Sequence, residues 1–583
     1  MLSVMRIVCL PVALSALALA AAVTTCAQTA ANQQPPPREN SKAASGAVIR
    51  SETRLVQLSV IAVDKKGHTI ESLRKEDFVL LDNGKPQDIA LFSTDSTTHT
   101  DSTTTATNPA NTALPANVFS NRLRHADEPT GSVTIILFDV LNTSFSDQAY
   151  ARTQILKFLQ QLQPQDHVAI YLLSNQLQVI NEFTQDSKSL LQAIKRFQAF
   201  PSLLLANSSQ PLASAQDFGG GDPKAAVRLA GLLNDVNSKL SDLSNVNRVD
   251  ITSRAIEAIA NHVSGITGRK NLVWVSGGFP ISISFTSNDN SPVDAESQNF
   301  TSQLERVARA LNQSNLAIYP VDARGLLIGG EFDASASHPF SHDNPPVHNL
   351  GEGQEEQSTM NLLADRTGGH AFYNTNDIKG AIRRTLADSH FTYAIGYYPD
   401  HGDWHGQYHT LQLRAKKSGV VLRYRKGYFA LADPPSTAAQ THNALQAAVW
   451  SPVDATTMGI QAKVDSIYLA TRKLELLVNV NTSDLRLAEA DGHHTGKIDA
   501  IYMQLGPADA PLGVEPLTYK VDLSENEYQA ALSHGYELKA PLVIEPSTKN
   551  LRIVVRDAAS GVLGSVTIPL EKFLPPQTTA SAK

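Results

Sequence analysis

The feature that most constrains the fold is an uncharged run of six apolar or β-prone residues, Val133–Phe138, which ends at Asp139. Such a run is typical of a strand buried on both faces, as in the centre of a parallel sheet. Residues 146–162 predict an amphipathic helix and residues 168–173 a second strand. This βαβ unit places Asp139 at the carboxyl end of its first strand, where open α/β sheets bind ligands. The alternative is that Asp139 only caps a loop.

Strands and helices alternate as far as residue 388, which predicts a doubly wound, mostly parallel sheet over residues 131–388. An irregular insertion rich in Ser, Gly and Asn is expected at 201–247, with a short helix near 225–233. A firmer helix is predicted at 252–263, so that Thr252 lies at its start.

Patterns typical of β-strands flank this α/β region on both sides, at 50–95 and 389–430. Each segment alone is too small to form a stable core. We therefore expect the two segments to form one β-sandwich into which the α/β domain is inserted, because insertions are tolerated where chain ends lie close together. Two independent small β units are the alternative. Residues 96–130, rich in Thr, Ser and Asn, are predicted to be a linker.

The remaining part of the chain predicts a second β-sandwich over residues 447–571, where short strands are separated by turns. A linker is predicted before it at 431–446, and a disordered tail after it at 572–583. A total of 583 residues is long enough for about three domains.

The first 27 residues predict export by a signal peptide, because a short basic stretch precedes an apolar stretch and small residues. A disordered spacer is expected at 28–49. A lipoprotein signal with Cys26 acylated is the alternative. No later segment is apolar and long enough to cross a bilayer. We therefore expect the mature protein in the periplasm or outside the cell.

Both cysteines, Cys9 and Cys26, lie within the predicted signal peptide. The mature chain would therefore have no disulfide, thiolate metal site or thiol nucleophile, and its stability would depend on core burial. The net charge of −7 and the lack of a basic patch argue against nucleic acid as a partner.

Seven stretches carry a family resemblance through their order and spacing: Phe138–Thr143, Asp147–Arg152, Gly268–Pro280, Ala317–Arg324, Thr367–Tyr373, Gly396–Pro399 and Tyr424–Phe429. In these stretches the chain resembles the von Willebrand factor A-related proteins of acidobacteria, a family without an established activity. The resemblance covers about residues 50–430, and it implies a von Willebrand A-like sheet.

The resemblance also implies a place for a metal, since a von Willebrand A domain usually holds Mg²⁺ through oxygen ligands at the top of its sheet. Asp139, Thr143 and Thr252 match three of the five ligand positions. Leu141 and Gly277 stand at the other two and offer no side-chain oxygen. We therefore expect a remnant of the metal site and no cofactor, with bound Mg²⁺ as the alternative.

Other polar residues near the same edge are candidates for a binding rim: Asn142, Ser144, Ser276 and Asp322. Asp322 either orients a ligand or pairs locally with Arg324. Five tyrosines on the flanking strands are expected to pack across the sandwich, with a carbohydrate-stacking face as the alternative. They are Tyr393, Tyr397, Tyr398, Tyr424 and Tyr428.

The sequence contains no Gly-x-Ser-x-Gly, phosphate-loop or His-Glu-x-x-His motif. We therefore expect a non-enzymatic adhesion or scaffold protein that binds a protein partner in the cell envelope or the extracellular space. This expectation is an analogy from fold. The alternative is an extracytoplasmic hydrolase or carbohydrate-binding protein whose sites the sequence does not reveal. The oligomeric state stays open.

Overall fold

The computed structural model describes eleven stretches of the chain. They are residues 55–96, 114–122, 132–164, 166–198, 201–209, 223–266, 268–278, 294–326, 350–400, 404–431 and 437–573. The predicted signal peptide and spacer lie outside the described residues. In the described part, no helix is both long and apolar enough to cross a membrane.

Residues 55–96 and 114–122 contain five strands: β1 (Val56–Val63), β2 (Phe78–Asp82), β3 (Lys85–Gln87), β4 (Ile89–Ser96) and β5 (Val118–Ser120). β2 and β3 form an antiparallel hairpin. Asn83 and Gly84 both have positive φ angles, 47° and 80°, as a tight two-residue turn between antiparallel strands requires.

In the described residues of the α/β domain that follows, there are five strands and seven helices. They are β6 (Val133–Asp139), α1 (Phe145–Leu159), β7 (His167–Leu173), β8 (Leu177–Thr184), α2 (Ser187–Arg196), α3 (Leu203–Ser209), α4 (Pro223–Val263), β9 (Lys270–Ser276), α5 (Asp294–Gln313), β10 (Leu316–Asp322), α6 (Leu350–Thr367) and α7 (Ile378–Ser389).

The sheet of this domain has the order β10-β9-β6-β7-β8, with β8 antiparallel to β7 and the other neighbours parallel. The prediction of a doubly wound, mostly parallel sheet is therefore confirmed. Every residue of β6 is buried. Val133, Ile135 and Leu137 enter one hydrophobic core, and Ile136 and Phe138 enter the core on the opposite face.

The prediction for residues 201–263 was wrong in one respect. Helix α4 is continuous over 41 residues from Pro223 to Val263, so Thr252 lies inside it and not at its start. Much of the Ser- and Asn-rich half is exposed, including Leu232, Val236 and Leu243, whereas Val246 and Val249 pack on the core that also holds Ile256 and Ile259. Burial of an apolar face therefore stabilises the helix from Val246 onwards, and the part before Val246 is continuous with that stretch.

Four more strands follow the α/β domain: β11 (Phe391–Tyr397), β12 (His405–Ala415), β13 (Val421–Arg423) and β14 (Gly427–Leu431). They combine with the early strands in two sheets, β13-β1-β11-β4 and β14-β12-β2-β3. Each sheet takes two strands from each chain segment, and both sheets share one hydrophobic core. We call this unit the two-segment β domain.

Four of the five tyrosines predicted to pack across the sandwich lie in the interior of this domain, whereas Tyr398 is 48% exposed and lies outside that interior. Tyr393, Tyr397, Tyr424 and Tyr428 are between 0% and 8% exposed, so these rings cannot form a carbohydrate-stacking face. Asp82 organises part of this interior: its carboxylate accepts hydrogen bonds from the hydroxyls of Tyr397 (2.8 Å) and Tyr428 (2.9 Å). Hydrogen-bonded partners offset the cost of burying a carboxylate.

The C-terminal domain contains two further helices and eight strands. They are α8 (Ala438–Trp450), β15 (Ile460–Tyr468), β16 (Lys473–Val480), β17 (Ala488–Ala490), β18 (His493–Leu505), β19 (Pro511–Ser524), α9 (Glu525–His534), β20 (Tyr536–Val543), β21 (Asn550–Asp557) and β22 (Leu563–Pro569). Its two sheets are β20-β16-β15-β5 and β17-β18-β21-β22, with β19 also paired to β18.

Both predicted linkers contain regular structure. Within 96–130, β5 pairs antiparallel with β15, and Phe119 packs against the core of the C-terminal domain. Within 431–446, α8 begins at Ala438, and its residues Ala448 and Val449 are buried against the same domain. The polar and alanine-rich composition of both segments predicts a linker. Their few apolar residues make these contacts only with distant parts of the folded chain.

The C-terminal domain contacts the end of α4 through residues 454–456. The Thr456 hydroxyl donates to the His262 carbonyl oxygen (2.7 Å) and accepts from the Gly265 backbone N–H (2.8 Å). The His262 ring hydrogen-bonds through Nδ1 to the Asp454 carbonyl oxygen (2.7 Å), and its Nε2 lies 3.8 Å from a Glu182 carboxylate oxygen.

We predict that His262 makes stability depend on pH. Burial lowers the pKa of His262, but Glu182 and the Asp454 carbonyl outweigh burial and raise it above its usual value. The contribution of His262 to the free energy of unfolding is therefore complete below about pH 6.5 and is lost as pH rises through the folded-state pKa.

His262→Gln should remove this decline in the free energy of unfolding, measured by urea titration from pH 6 to 8. The same change at exposed His534 should preserve the decline, and a decline that persisted in His262→Gln would contradict the assignment.

Candidate functional site

The candidate site lies at the edge of the α/β sheet where β6, β9 and β10 end. Their last residues are Asp139, Ser276 and Asp322, and each is fully buried. The edge arises because parallel strands present their carboxyl ends on the same side of the sheet. The structure brings Asp139, Asn142, Thr143, Thr252 and Ser276 into one hydrogen-bonded cluster, described below as the Asp139 cluster.

The carboxylate of Asp139 accepts four hydrogen bonds at the centre of this cluster. The Asn142 backbone N–H donates to Oδ1 (3.0 Å), and the Asn142 side-chain amide donates to Oδ2 (2.7 Å). Trp274 Nε1 and Ser276 Oγ also donate to Oδ2, each at 2.9 Å. Burial raises the pKa of Asp139, and these hydrogen bonds act against that rise.

Asn142 extends the cluster towards helix α4. Its amide nitrogen donates to the Thr252 hydroxyl (2.9 Å), and its amide oxygen accepts from Arg248 Nε (2.9 Å). Arg248 also donates to the Asn245 side chain (3.0 Å) and is only 5% exposed. Asn142 therefore connects the carboxylate of Asp139 to the buried guanidinium of Arg248 on helix α4.

The sequence did not identify Arg248, because residue 248 lies between the predicted insertion at 201–247 and the predicted helix at 252–263. The sequence feature that could have identified Arg248 was its spacing of four residues from Thr252. Positions four apart lie on one face of a helix, so a continuous α4 predicts that both side chains face the same neighbour.

Thr143 and Gly277 close the other side of the cluster. The Thr143 hydroxyl donates to the Asp139 carbonyl oxygen and accepts from the Gly277 backbone N–H (2.9 Å). A Cβ atom at Gly277 would lie 2.8 Å from the Asn142 carbonyl oxygen, closer than real Cβ contacts occur. An aspartate at this position would therefore require the loop after β6 to move.

The other predicted site residues have separate roles. The Leu141 side chain is buried in the hydrophobic core below the sheet edge. Ser144 caps helix α1, and its hydroxyl accepts from the Asp147 backbone N–H (3.3 Å). Asp322 pairs with Arg324 through Nε–Oδ1 and Nη2–Oδ2 contacts of 2.9 Å, which confirms the local pairing considered from the sequence.

These residues do not fit a divalent metal. Mg²⁺ needs near-octahedral oxygen ligands with free lone pairs at about 2.1 Å. Asp139 Oδ2 accepts three protein donors and Oδ1 accepts one, and Leu141 and Gly277 supply no side-chain oxygen. Within the described residues, no three His, Cys, Asp or Glu side chains come together as a possible metal centre.

The chain matched no protein-family model and no curated protein. One similar solved structure is an aerotolerance-related membrane protein from Bacteroides fragilis with multiple mutations to serines (14% identity, 44% of this chain, 98% of that chain, TM-score 0.23). Another is the vWF domain of the type V pili tip protein Mfa5 from Porphyromonas gingivalis (11%, 44%, 94%, TM-score 0.24). A third is the SpRpn10 VWA domain (12%, 44%, 96%, TM-score 0.19). At this level of similarity, function has to be argued from the contacts of this chain.

We predict that Asp139→Asn destabilises the protein. An asparagine offers one acceptor oxygen where the carboxylate offers two, so its NH₂ group would face a buried donor. Leaving buried donors unpaired costs about 1–3 kcal/mol. The free energy of unfolding should fall by that amount in urea titrations monitored by tryptophan fluorescence, since Trp274 contacts Asp139 directly.

The matched control for this prediction is Asp186→Asn. Asp186 is the exposed N-cap of α2, a position where Asn and Asp are about equally favourable, so little change is expected there. An Asp139→Asn protein as stable as the unmodified protein, or more stable, would show that carboxylate desolvation outweighs the four hydrogen bonds and would contradict the prediction.

Proposed function

We propose that this chain is an exported, non-enzymatic adhesion or scaffold protein whose α/β domain is a von Willebrand A-like domain of the acidobacterial type. On this proposal, the domain binds a protein partner without a metal. The observation that carries the proposal is the Asp139 cluster, in which protein donors occupy the oxygens that a metal would need.

The same cluster supports a binding role over catalysis. Ser276 Oγ donates to the Asp139 carboxylate, but a serine nucleophile needs a base that removes its proton and is itself oriented by a third group. No histidine or lysine contacts Ser276 among its described hydrogen bonds. The hydrogen bonds instead hold the loops after β6 and β9 in fixed positions.

An exposed apolar surface lies at the same edge of the sheet. We call Phe145, Tyr150, Leu326 and Tyr373 the rim patch; their side chains are between 37% and 56% exposed. Phe145 and Tyr150 belong to α1, Leu326 follows β10, and Tyr373 follows the short bridge between Phe372 and Val321.

Asn376 joins two parts of the rim patch. Its carbonyl oxygen accepts from the Tyr150 hydroxyl, and its side-chain oxygen accepts from the Leu326 backbone N–H (3.1 Å). Exposed aromatic and aliphatic side chains on a rigid support are typical of protein-binding surfaces. We therefore propose that the rim patch contacts the partner.

The test is a pull-down from the cell envelope of the parent organism with three forms of the protein as bait. We predict that the unmodified protein captures a partner in the presence of EDTA and that Phe145→Ser/Leu326→Ser loses it. The control Val514→Ser/Val543→Ser alters two exposed valines of the C-terminal domain and should keep the partner. Capture that EDTA abolished, or that all three forms shared, would contradict the proposal.

A further inference from the structure

A cavity of about 340 Å³ lies where the two-segment β domain meets the α/β domain. Three arginines line it: Arg269 precedes β9, Arg309 belongs to α5, and Arg425 lies between β13 and β14. Polar side chains such as Ser59 and Thr367 complete much of the wall. None of the lining residues is Asp or Glu.

Each of the three arginines keeps a buried Nε–H group without a hydrogen-bond partner among the described residues. Arg269, which is 2% exposed, uses Nη2 to donate to the Tyr319 hydroxyl (3.1 Å) and the Gly368 carbonyl oxygen (2.8 Å). Arg425 uses Nη2 to donate to the Gln57 carbonyl oxygen (2.7 Å). Native proteins pair nearly all their buried polar groups, so three unpaired donors around one cavity need an explanation.

Packing alone explains only part of this arrangement. The Arg309 guanidinium lies 5.7 Å from the centre of the Phe429 ring, and Arg366 lies 5.8 Å from the same ring. These cation–π contacts account for the positions of the guanidinium planes. They do not satisfy the N–H groups at the guanidinium edges, and they bring like charges together.

Two nearby carboxylates lie against arginines that do not line the cavity. Asp388 forms an ion pair with Arg423 (2.7 Å), and Glu257 faces Arg306 (3.6 Å). Burial lowers the pKa of both Arg309 and Arg425; Glu305 and Glu257 act against this shift at Arg309, and no carboxylate does so at Arg425. The cavity wall therefore combines three arginines, no carboxylate and three unused donors.

We propose that this cavity binds a small, multiply charged oxyanion, with phosphate or carboxylate oxygens held by Arg269, Arg309 and Arg425. The planar guanidinium group presents several N–H donors in a geometry that matches such oxygens. A volume of about 340 Å³ lies within the usual range for small-molecule sites. Because Arg425 belongs to one domain and Arg309 to the other, the bound anion would join the two domains.

Calorimetric titration of the full chain with inorganic phosphate, pyrophosphate and citrate, at constant ionic strength, tests this proposal. We expect saturable one-to-one binding of at least one probe, with a Kd of about 1 mM or tighter. Binding by the phosphates assigns a phosphate ligand, and binding by citrate assigns a carboxylate ligand. A chloride titration supplies the reference.

Arg309→Gln and Arg425→Gln should each weaken binding at least about tenfold, because each removes a charged hydrogen bond. Arg309 donates no described hydrogen bond, so its substitution should leave the fold intact, which circular dichroism can check. The control is Arg254→Gln, an arginine on α4 with a 70% exposed side chain, which should bind as the unmodified protein does. Absence of binding by all three probes, or equal weakening by all three substitutions, would overturn the proposal.

Discussion

The structure of the α/β domain depends on one buried carboxylate and the four donors around it. Asp139 ends the central strand of the sheet, and its hydrogen bonds reach the following loop through Asn142 and the neighbouring strand through Trp274 and Ser276. Burying a charge without hydrogen-bond partners costs a large amount of free energy. The sheet edge can therefore bury Asp139 only because these donors contact it. Arg248 adds a positive charge to the same cluster from helix α4. The loops of the rim are thus fixed by the protein itself, which is why we propose a binding surface that needs no metal.

The order of elements along the chain places the two-segment β domain and the C-terminal domain in contact with the α/β domain. The strands before and after the α/β domain pair with each other in both sheets of the two-segment β domain, which brings the ends of the α/β domain together. The C-terminal domain contacts the end of α4 through Thr456 and takes β5 from the early part of the chain. The arginine-lined cavity lies between the two-segment β domain and the α/β domain, where a bound anion would stabilise the contact between them.

The features that the sequence predicted were those decided by local patterns. The uncharged run ending at Asp139 predicts a strand buried on both faces, and every residue of that strand is buried. The missed features depend on distant contacts. Helix α4 continues in the N-terminal direction from the core contacts of Val246 and Val249, and β5 forms because β15 pairs with it. Arg248 could not be placed without the continuous helix. The three cavity arginines are distant in sequence, so no local pattern joins them.

The most direct test of the central claim is electron paramagnetic resonance of Mn²⁺ added to the purified protein, since Mn²⁺ can replace Mg²⁺ at oxygen-ligand sites. If the donors around Asp139 occupy the place of a metal, the sharp six-line signal of free Mn²⁺ should keep the amplitude that it has in buffer. Stoichiometric loss of that signal in the unmodified protein, with recovery in Asp139→Ala, would show that a cation binds at Asp139 and would contradict the account.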